Sequence, residues 1–135
     1  MNKKSRIFII IGGLLGALGV IMGAFGAHGI KGFVEPHLFD AWLTGAHYQL
    51  IHAVFILFVG MLMERRQRIQ LLVWAAALST AGTVCFSGSI YVLVLTPLKV
   101  GWVTPLGGLL FIAGWLLLVL NFLRKSQSSK IPSDR

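Results

Sequence analysis

Long stretches without a charged residue dominate this sequence and limit what the chain can fold into. Segments 7–27 and 71–95 contain no Asp, Glu, Lys or Arg. An α-helix rises about 1.5 Å per residue, so about 20 apolar residues cross the hydrocarbon core of a bilayer. The chain is 56% hydrophobic and only 12% charged, whereas soluble domains are about 25% charged. These features together predict an integral membrane protein.

Four segments meet this length requirement and predict an all-α membrane protein, an up-down bundle of four transmembrane helices. In the second segment only residues 53–63 are strictly apolar, and that is too short to cross. The helix must therefore extend back through His52 and Gln49. The predicted spans are 7–27, 41–63, 71–95 and 104–123. They form one domain, residues 1–123, which is followed by a polar cytoplasmic tail, residues 124–135.

Basic residues alternate between the segments that flank these spans. The N-terminal segment, the second loop and the tail contain three, three and four Lys or Arg residues, whereas the first and third loops contain one each. Cytoplasmic loops carry an excess of Lys and Arg. The alternation predicts a multi-pass protein of the cell membrane (plasma or inner) with cytoplasmic N- and C-termini. The net charge of +8 comes from basic residues at the ends of the spans. We therefore expect the protein to interact with the lipid bilayer and not with nucleic acid.

Five glycines of the first span are spaced four and three residues apart, which places them on one helical face. They are Gly12, Gly16, Gly19, Gly23 and Gly26. Small residues let two helices approach closely in a membrane. The face predicts an internal packing contact, for which the small residues Ala75, Ser79 and Gly82 of the third span are the expected partner. A homo-oligomer interface is the alternative.

Five short blocks form a pattern that is spread over nearly the whole chain. They are Gly23-Ala24-Phe25-Gly26-Ala27-His28-Gly29, Tyr48-Gln49 with His52, Phe86-Ser87-Gly88-Ser89-Ile90-Tyr91, Thr104-Pro105-Leu106-Gly107-Gly108 and Gly114-Trp115. This pattern resembles the small membrane family catalogued as domain of unknown function 423. That family consists of bacterial inner-membrane proteins with eukaryotic relatives, so the resemblance implies a membrane protein with four helices. It implies no particular biochemical activity.

Polar and ionisable side chains at membrane depth are costly and are candidates for function by default. Tyr48 and His52 are four residues apart on one helical face, and Gln49 adjoins it. His52 falls near the middle of the membrane, so we expect it to point into the bundle and to donate to a hydroxyl or a backbone carbonyl. The candidate polar pocket consists of His28, His47, Tyr48, Gln49 and His52.

The sequence contains no motif of a nucleophile with a base, no ligand-spaced histidine pair and no acidic residue inside a span. Cys85 is the only cysteine, which excludes two-thiol chemistry within one chain. We therefore expect no enzyme activity and no cofactor or metal, and a structural or partner-binding role in the membrane. The partner is a second copy or another membrane protein. Two alternatives remain: a small transporter or channel component with a pocket around His52, and a haem or metal carrier.

The predicted orientation is testable with reporter domains. A reporter fused after Arg135 should lie in the cytoplasm, and one inserted within residues 32–37 should lie on the opposite side, because the Lys and Arg bias orients the spans. Fluorescent-protein and phosphatase activities measure the two locations. Finding both insertions in one compartment would contradict four crossings.

Overall fold

The computed structural model describes residues 1–124, which fold into four long helices without a β-strand. The helices are α1 (Lys3–Ile30), α2 (Pro36–Glu64), α3 (Gln70–Leu95) and α4 (Val103–Leu123), and each is long and apolar enough to cross a membrane. The predicted all-α fold with four such helices is confirmed. Each predicted span lies inside one of these helices. Of the predicted tail, only Arg124 is among the described residues.

Two of the helices contain a turn of π-helix. In α1 it forms the last turn, Gly26–Ile30, and in α3 it is internal, Val84–Gly88. The connection after α1 turns at Gly32, whose φ of +85° is a conformation that favours glycine. Pro36 then opens α2 at a position where its missing N–H costs nothing. Gly32 and Pro36 thus fix where α1 ends and α2 begins.

Contacts between helix ends show that successive helices run in opposite directions. The backbone N of Asn2, before α1, donates to Oε1 of Glu64 at the end of α2 over 2.7 Å. In the following loop, the guanidinium carbon of Arg66 lies 4.6 Å from the ring centroid of Phe122 near the end of α4. One end of the bundle, named here the basic end, therefore collects seven exposed cations from residues 1–124. They are Lys3, Lys4, Arg6, Arg65, Arg66, Arg68 and Arg124.

The helices pack mainly in chain order, with α1 along α2, α2 against α3 and α3 against α4. The expectation that the glycine face of the first span packs on the third span is wrong, because that face lies against α2. A Cβ at Gly12 would be 2.9 Å from the carbonyl oxygen of Ala53, and one at Gly19 would be 2.8 Å from Cδ2 of Leu50. The two backbones approach closely because the intervening side chains are absent.

The other predicted glycines of α1 differ in their surroundings. Gly26 lies directly against the Trp42 indole, where a Cβ would be 2.6 Å from Cδ1, and Gly16 is in ordinary contact with Ala53. Gly23 has no atom within 4 Å of its Cβ position. Four of the five glycines thus face α2, and Gly23 does not take part in that contact.

The small face of α3 packs against α4 through glycines on both helices. The Phe111 ring of α4 lies over Gly82, where a Cβ would be 2.7 Å from Cδ1 of that ring. Gly107 lies against the backbone of Phe86, and Gly114 lies against the Ser79 hydroxyl. Close glycine contacts therefore join α3 to α4 as they join α1 to α2.

Neighbouring glycines provide a matched test of this packing. Gly12→Ala should lower the free energy of unfolding by about 1–3 kcal/mol, because the new methyl group meets backbone atoms that cannot rotate away. Gly13→Ala should be neutral or stabilising, since nothing lies within 4 Å of its Cβ position and alanine is the better helix former. Gly107→Ala and Gly108→Ala form the equivalent pair on α4. Thermal unfolding in detergent measures all four variants, and equal effects within each pair would contradict the described packing.

Candidate functional site

Gln49 joins three helices through one amide group. It is buried on α2. Its Nε2 donates to the carbonyl oxygen of Leu15 on α1 over 2.9 Å, and its Oε1 accepts from the hydroxyl of Tyr91 on α3 over 2.8 Å. A buried amide without partners would be strongly unfavourable in an apolar environment. These two bonds therefore hold α1 and α3 against α2 at a defined height.

Trp42 lies seven residues before Gln49, on the same face of α2. Its indole is fully buried, and Nε1 donates to the carbonyl oxygen of Met22 on α1 over 2.8 Å. The ring centroid lies 4.6 Å from that of Tyr91 and 5.7 Å from that of Phe25. Trp42 thus repeats the role of Gln49 two helical turns away, with an aromatic ring in place of an amide.

His52 connects α2 to α4 and is buried. Its Nε2 lies 3.2 Å from Nε1 of Trp115, which can only donate, so Nε2 accepts. The proton of the neutral ring is then assigned to Nδ1, which lies 2.8 Å from the carbonyl oxygen of Tyr48 and donates to it. His52 therefore points into the bundle and donates to a backbone carbonyl, as the sequence predicts.

Aromatic rings surround the His52 imidazole. Phe111 stacks on it at a centroid distance of 3.4 Å and an interplanar angle of 10°. Tyr48 packs on Phe86 at 4.7 Å, and Trp115 packs on Phe55 at 4.2 Å. These rings exclude water from the two hydrogen bonds of the imidazole, which makes leaving either nitrogen unpaired more costly.

Hydroxyl groups make further bonds between helices. Ser5 of α1 donates to the carbonyl oxygen of Gly60 over 2.8 Å, and Ser87 of α3 donates to that of Gly45 over 2.7 Å. The hydroxyls of Ser89 and Thr104 lie 2.6 Å apart and link α3 to α4. Every pair of sequential helices thus has at least one polar bond between its members.

The structure brings together only part of the predicted pocket. Gln49 and His52 are buried and hydrogen-bonded, and Tyr48 packs beside them with 42% of its surface exposed. His28 lies in the π turn that ends α1, and His47 lies on the outer face of α2. Both of these histidines are exposed, and neither takes part in a side-chain hydrogen bond within residues 1–124. The resulting site is a closed network and not a polar cavity.

The candidate pocket predicted from the sequence does not include three members of the network: Trp42, Tyr91 and Trp115. One general signal points to them, since a buried Trp or Tyr needs a partner for its N–H or O–H. Their partners lie 20, 42 and 63 residues away in the chain. No local spacing in the sequence reports such pairs.

Residues 1–124 contain no group of three or more His, Cys, Asp or Glu side chains placed to hold a metal ion. The single imidazole in the interior, His52, uses both nitrogens in hydrogen bonds. The described part of the chain therefore presents no preformed metal centre.

A groove of about 440 Å³ opens beside this network, between α2 and α4. Its lining is apolar and consists of Ile51, Val54, Phe55, Phe58 and Trp115. Trp115 forms one wall and is 45% exposed, while its Nε1 donates to His52. This α2–α4 groove and the polar network therefore share one side chain.

The family model described as "Protein of unknown function (DUF423)" matches residues 22–108. The chain belongs to the DUF423 family. The resemblance that the sequence blocks suggest is thereby confirmed. The matched residues include Gly26, Gln49, His52 and Tyr91, which are all parts of the network or its packing, and Trp115 follows the matched region.

Curated relatives of this DUF423 chain are membrane proteins by name. A UPF0382 membrane protein of Staphylococcus aureus (strain bovine RF122 / ET3-1) is 41% identical over 117 residues, which are 85% of this chain and 93% of the relative. The UPF0382 membrane protein YwdK of Bacillus subtilis (strain 168) is 39% identical over 116 residues, which are 85% of this chain and 94% of the relative. No solved structure matches the chain. The four apolar helices and the names of these relatives together show that the protein is an integral membrane protein.

The bond between His52 and Trp115 can be measured with a double-mutant cycle. Trp115→Phe keeps an aromatic ring but removes the donor, and His52→Ala removes the acceptor. We expect a coupling free energy of about 0.5–1.7 kcal/mol, the range for hydrogen bonds between membrane helices. Thermal or denaturant unfolding in detergent measures each variant.

Trp102→Phe is the matched control, because Trp102 is 74% exposed at the start of α4. It should leave stability unchanged and show no coupling to His52→Ala. Strictly additive effects of Trp115→Phe and His52→Ala would show that the described bond contributes nothing.

Proposed function

We propose that this DUF423 protein is a multi-pass protein of the cell membrane that acts by binding partners through its helices and is not an enzyme. The observation that carries this proposal is the closed network. Both ring nitrogens of His52 and both polar atoms of the Gln49 amide bond to the protein itself. Side chains committed in this way support packing of the helices, because their polar atoms are already used within the protein.

The charge distribution supports an orientation with both termini in the cytoplasm. The seven cations of the basic end are joined there by one carboxylate, Glu64. At the opposite end, Lys31 and Lys99 are balanced by Glu35 and Asp40. An excess of Lys and Arg marks the cytoplasmic side of a membrane protein, which favours the basic end as that side.

The exposed surface of α1 supports a binding role. Four of its five face glycines pack against α2, while several of its large apolar side chains are exposed. They include Ile10, Leu14, Leu18, Ile21 and Phe25. Such a face contacts lipid or another transmembrane helix, since water is absent at this depth. The partner is a second copy of the chain or another membrane protein.

A small transporter or channel component is the second candidate, and one observation favours it. Trp115 is the side chain that both bonds to His52 and lines the α2–α4 groove. If this indole turned away, the imidazole would face the groove. A metal carrier gains no support from residues 1–124, because they contain no group of three or more His, Cys, Asp or Glu side chains placed to hold an ion. A haem carrier gains none from His52, because both of its ring nitrogens are already hydrogen-bonded.

Proton flux into proteoliposomes distinguishes the two candidates. Vesicles that contain the purified protein should acidify no faster than empty vesicles, as reported by an enclosed pH-sensitive dye. His52→Ala should lower thermal stability in detergent by several degrees, because it leaves the Trp115 N–H buried without an acceptor. Trp102→Phe serves again as the stable control. A proton flux in the wild type that Trp115→Phe abolishes while the protein stays folded would overturn the binding role in favour of transport.

A further inference from the structure

The basic end carries a concentrated positive charge. In the part of the chain that the structure describes, seven cationic side chains and one carboxylate lie there, whereas the charges of the opposite end are balanced. Oε1 of that carboxylate, Glu64, accepts a hydrogen bond from the Asn2 backbone. Clusters of Lys and Arg beside transmembrane helices attract anionic lipid headgroups, at about 1 kcal/mol per residue.

One cation of the basic end, Arg66, is positioned by contact with an aromatic ring. Its guanidinium lies over the Phe122 ring, with 4.6 Å between Cζ and the ring centroid. The contact holds the cation of the α2–α3 loop above the end of α4. A guanidinium presents several N–H donors in a planar fork that matches phosphate geometry. Arg65 is adjacent in sequence and is also exposed.

The α2–α4 groove lies on the helical faces that lead to this position. On α4, Trp115 and Phe122 are seven residues apart and share a face. On α2, Phe58 of the groove lies six residues before Glu64, the last residue of the helix, and Arg65 follows directly after it. Phe58 lies about 9 Å from the end of α2 and Ile51 about 20 Å, from the rise per residue of a helix. The groove therefore begins at the depth of acyl chains in the leaflet that meets the basic end and extends to about the middle of the membrane.

We propose that the α2–α4 groove and Arg66 together bind one anionic phospholipid. Arg66, aided by Arg65, binds the phosphate, and an acyl chain lies in the groove against Val54, Phe58 and Trp115. The apolar lining fits a hydrocarbon chain, and the cation above it fits the negative headgroup. This inference deepens the proposed binding role by naming a lipid as one partner, and it holds for whichever leaflet meets the basic end.

Native mass spectrometry of the detergent-purified protein tests the headgroup contact. The probes are dioleoyl phosphatidylglycerol and dioleoyl phosphatidylcholine, which share acyl chains and differ in headgroup charge. The wild type should retain one phosphatidylglycerol more tightly than phosphatidylcholine. Arg66→Gln should raise the Kd for phosphatidylglycerol about fivefold, the equivalent of about 1 kcal/mol. Lys99→Gln removes the same charge at the opposite end and should leave the Kd unchanged.

The groove is tested with a second matched pair. Val54→Trp places a large ring in the groove, whereas Val20→Trp places it on the exposed face of α1; the two valines are 66% and 62% exposed. Val54→Trp should weaken binding of both phospholipids, and Val20→Trp should not. Because both positions face outward, both variants should fold, and their thermal unfolding verifies this.

Three results would overturn the proposal: equal Kd values for the two phospholipids, equal effects of Arg66→Gln and Lys99→Gln, or equal effects of Val54→Trp and Val20→Trp. A change from dimer to monomer in Val54→Trp would also overturn it, because the groove would then hold a second copy of the chain. These outcomes are separate from failure of the proposed binding role, which the proton-flux experiment detects without reference to lipid.

Discussion

The structure depends on one property of its surroundings: hydrocarbon offers no hydrogen-bond partner. A polar side chain at membrane depth therefore gains most by bonding within the protein, and among the described residues the Ser79 hydroxyl is buried without such a partner. Gln49, Trp42 and His52 do bond within the protein, to atoms of α1, α3 and α4, and to a carbonyl of α2 itself. Several of these partners are backbone carbonyls that already accept a bond within their own helix and have a second lone pair available. The polar groups thereby become connections between helices.

Close approach of the backbones is what makes these bonds reachable. The Gln49 amide extends from α2 to the carbonyl of Leu15 only because α1 and α2 lie close together at Gly12 and Gly19. Dispersion contacts and hydrogen bonds drive helix association in lipid, where burial of apolar surface gives little advantage. The glycines and the polar side chains therefore act together. The glycines bring the carbonyls within hydrogen-bonding distance, and the polar side chains fix the register of the helices. A β-carbon at Gly12 would weaken both.

The sequence alone predicts the four helices and the inward direction of His52, and the reasons are physical. Apolar length reports the thickness of the bilayer, and the cost of a polar side chain in lipid forces His52 inward. Sequence reasoning does not identify the partner of the glycine face, because the spacing of small residues shows that a face is closely packed but not against which helix. It also groups exposed His28 and His47 with buried Gln49, since depth along a helix says little about direction around it. The bond from Trp115 to His52 joins residues 63 positions apart, beyond any local period.

Two halves of the molecule have different chemistry, and Trp115 connects them. The network with Trp42, Gln49 and Tyr91 lies toward the electrically balanced end, whereas the apolar groove opens toward the basic end. The Trp115 indole donates to His52 on one side and lines the groove on the other. A ligand that binds the folded state stabilises it by an amount set by its concentration and affinity. An occupant of the groove that packs on Trp115 therefore also stabilises the position of the indole from which it donates to His52. The same side chain then takes part in the contact with the occupant and in the packing of the helices.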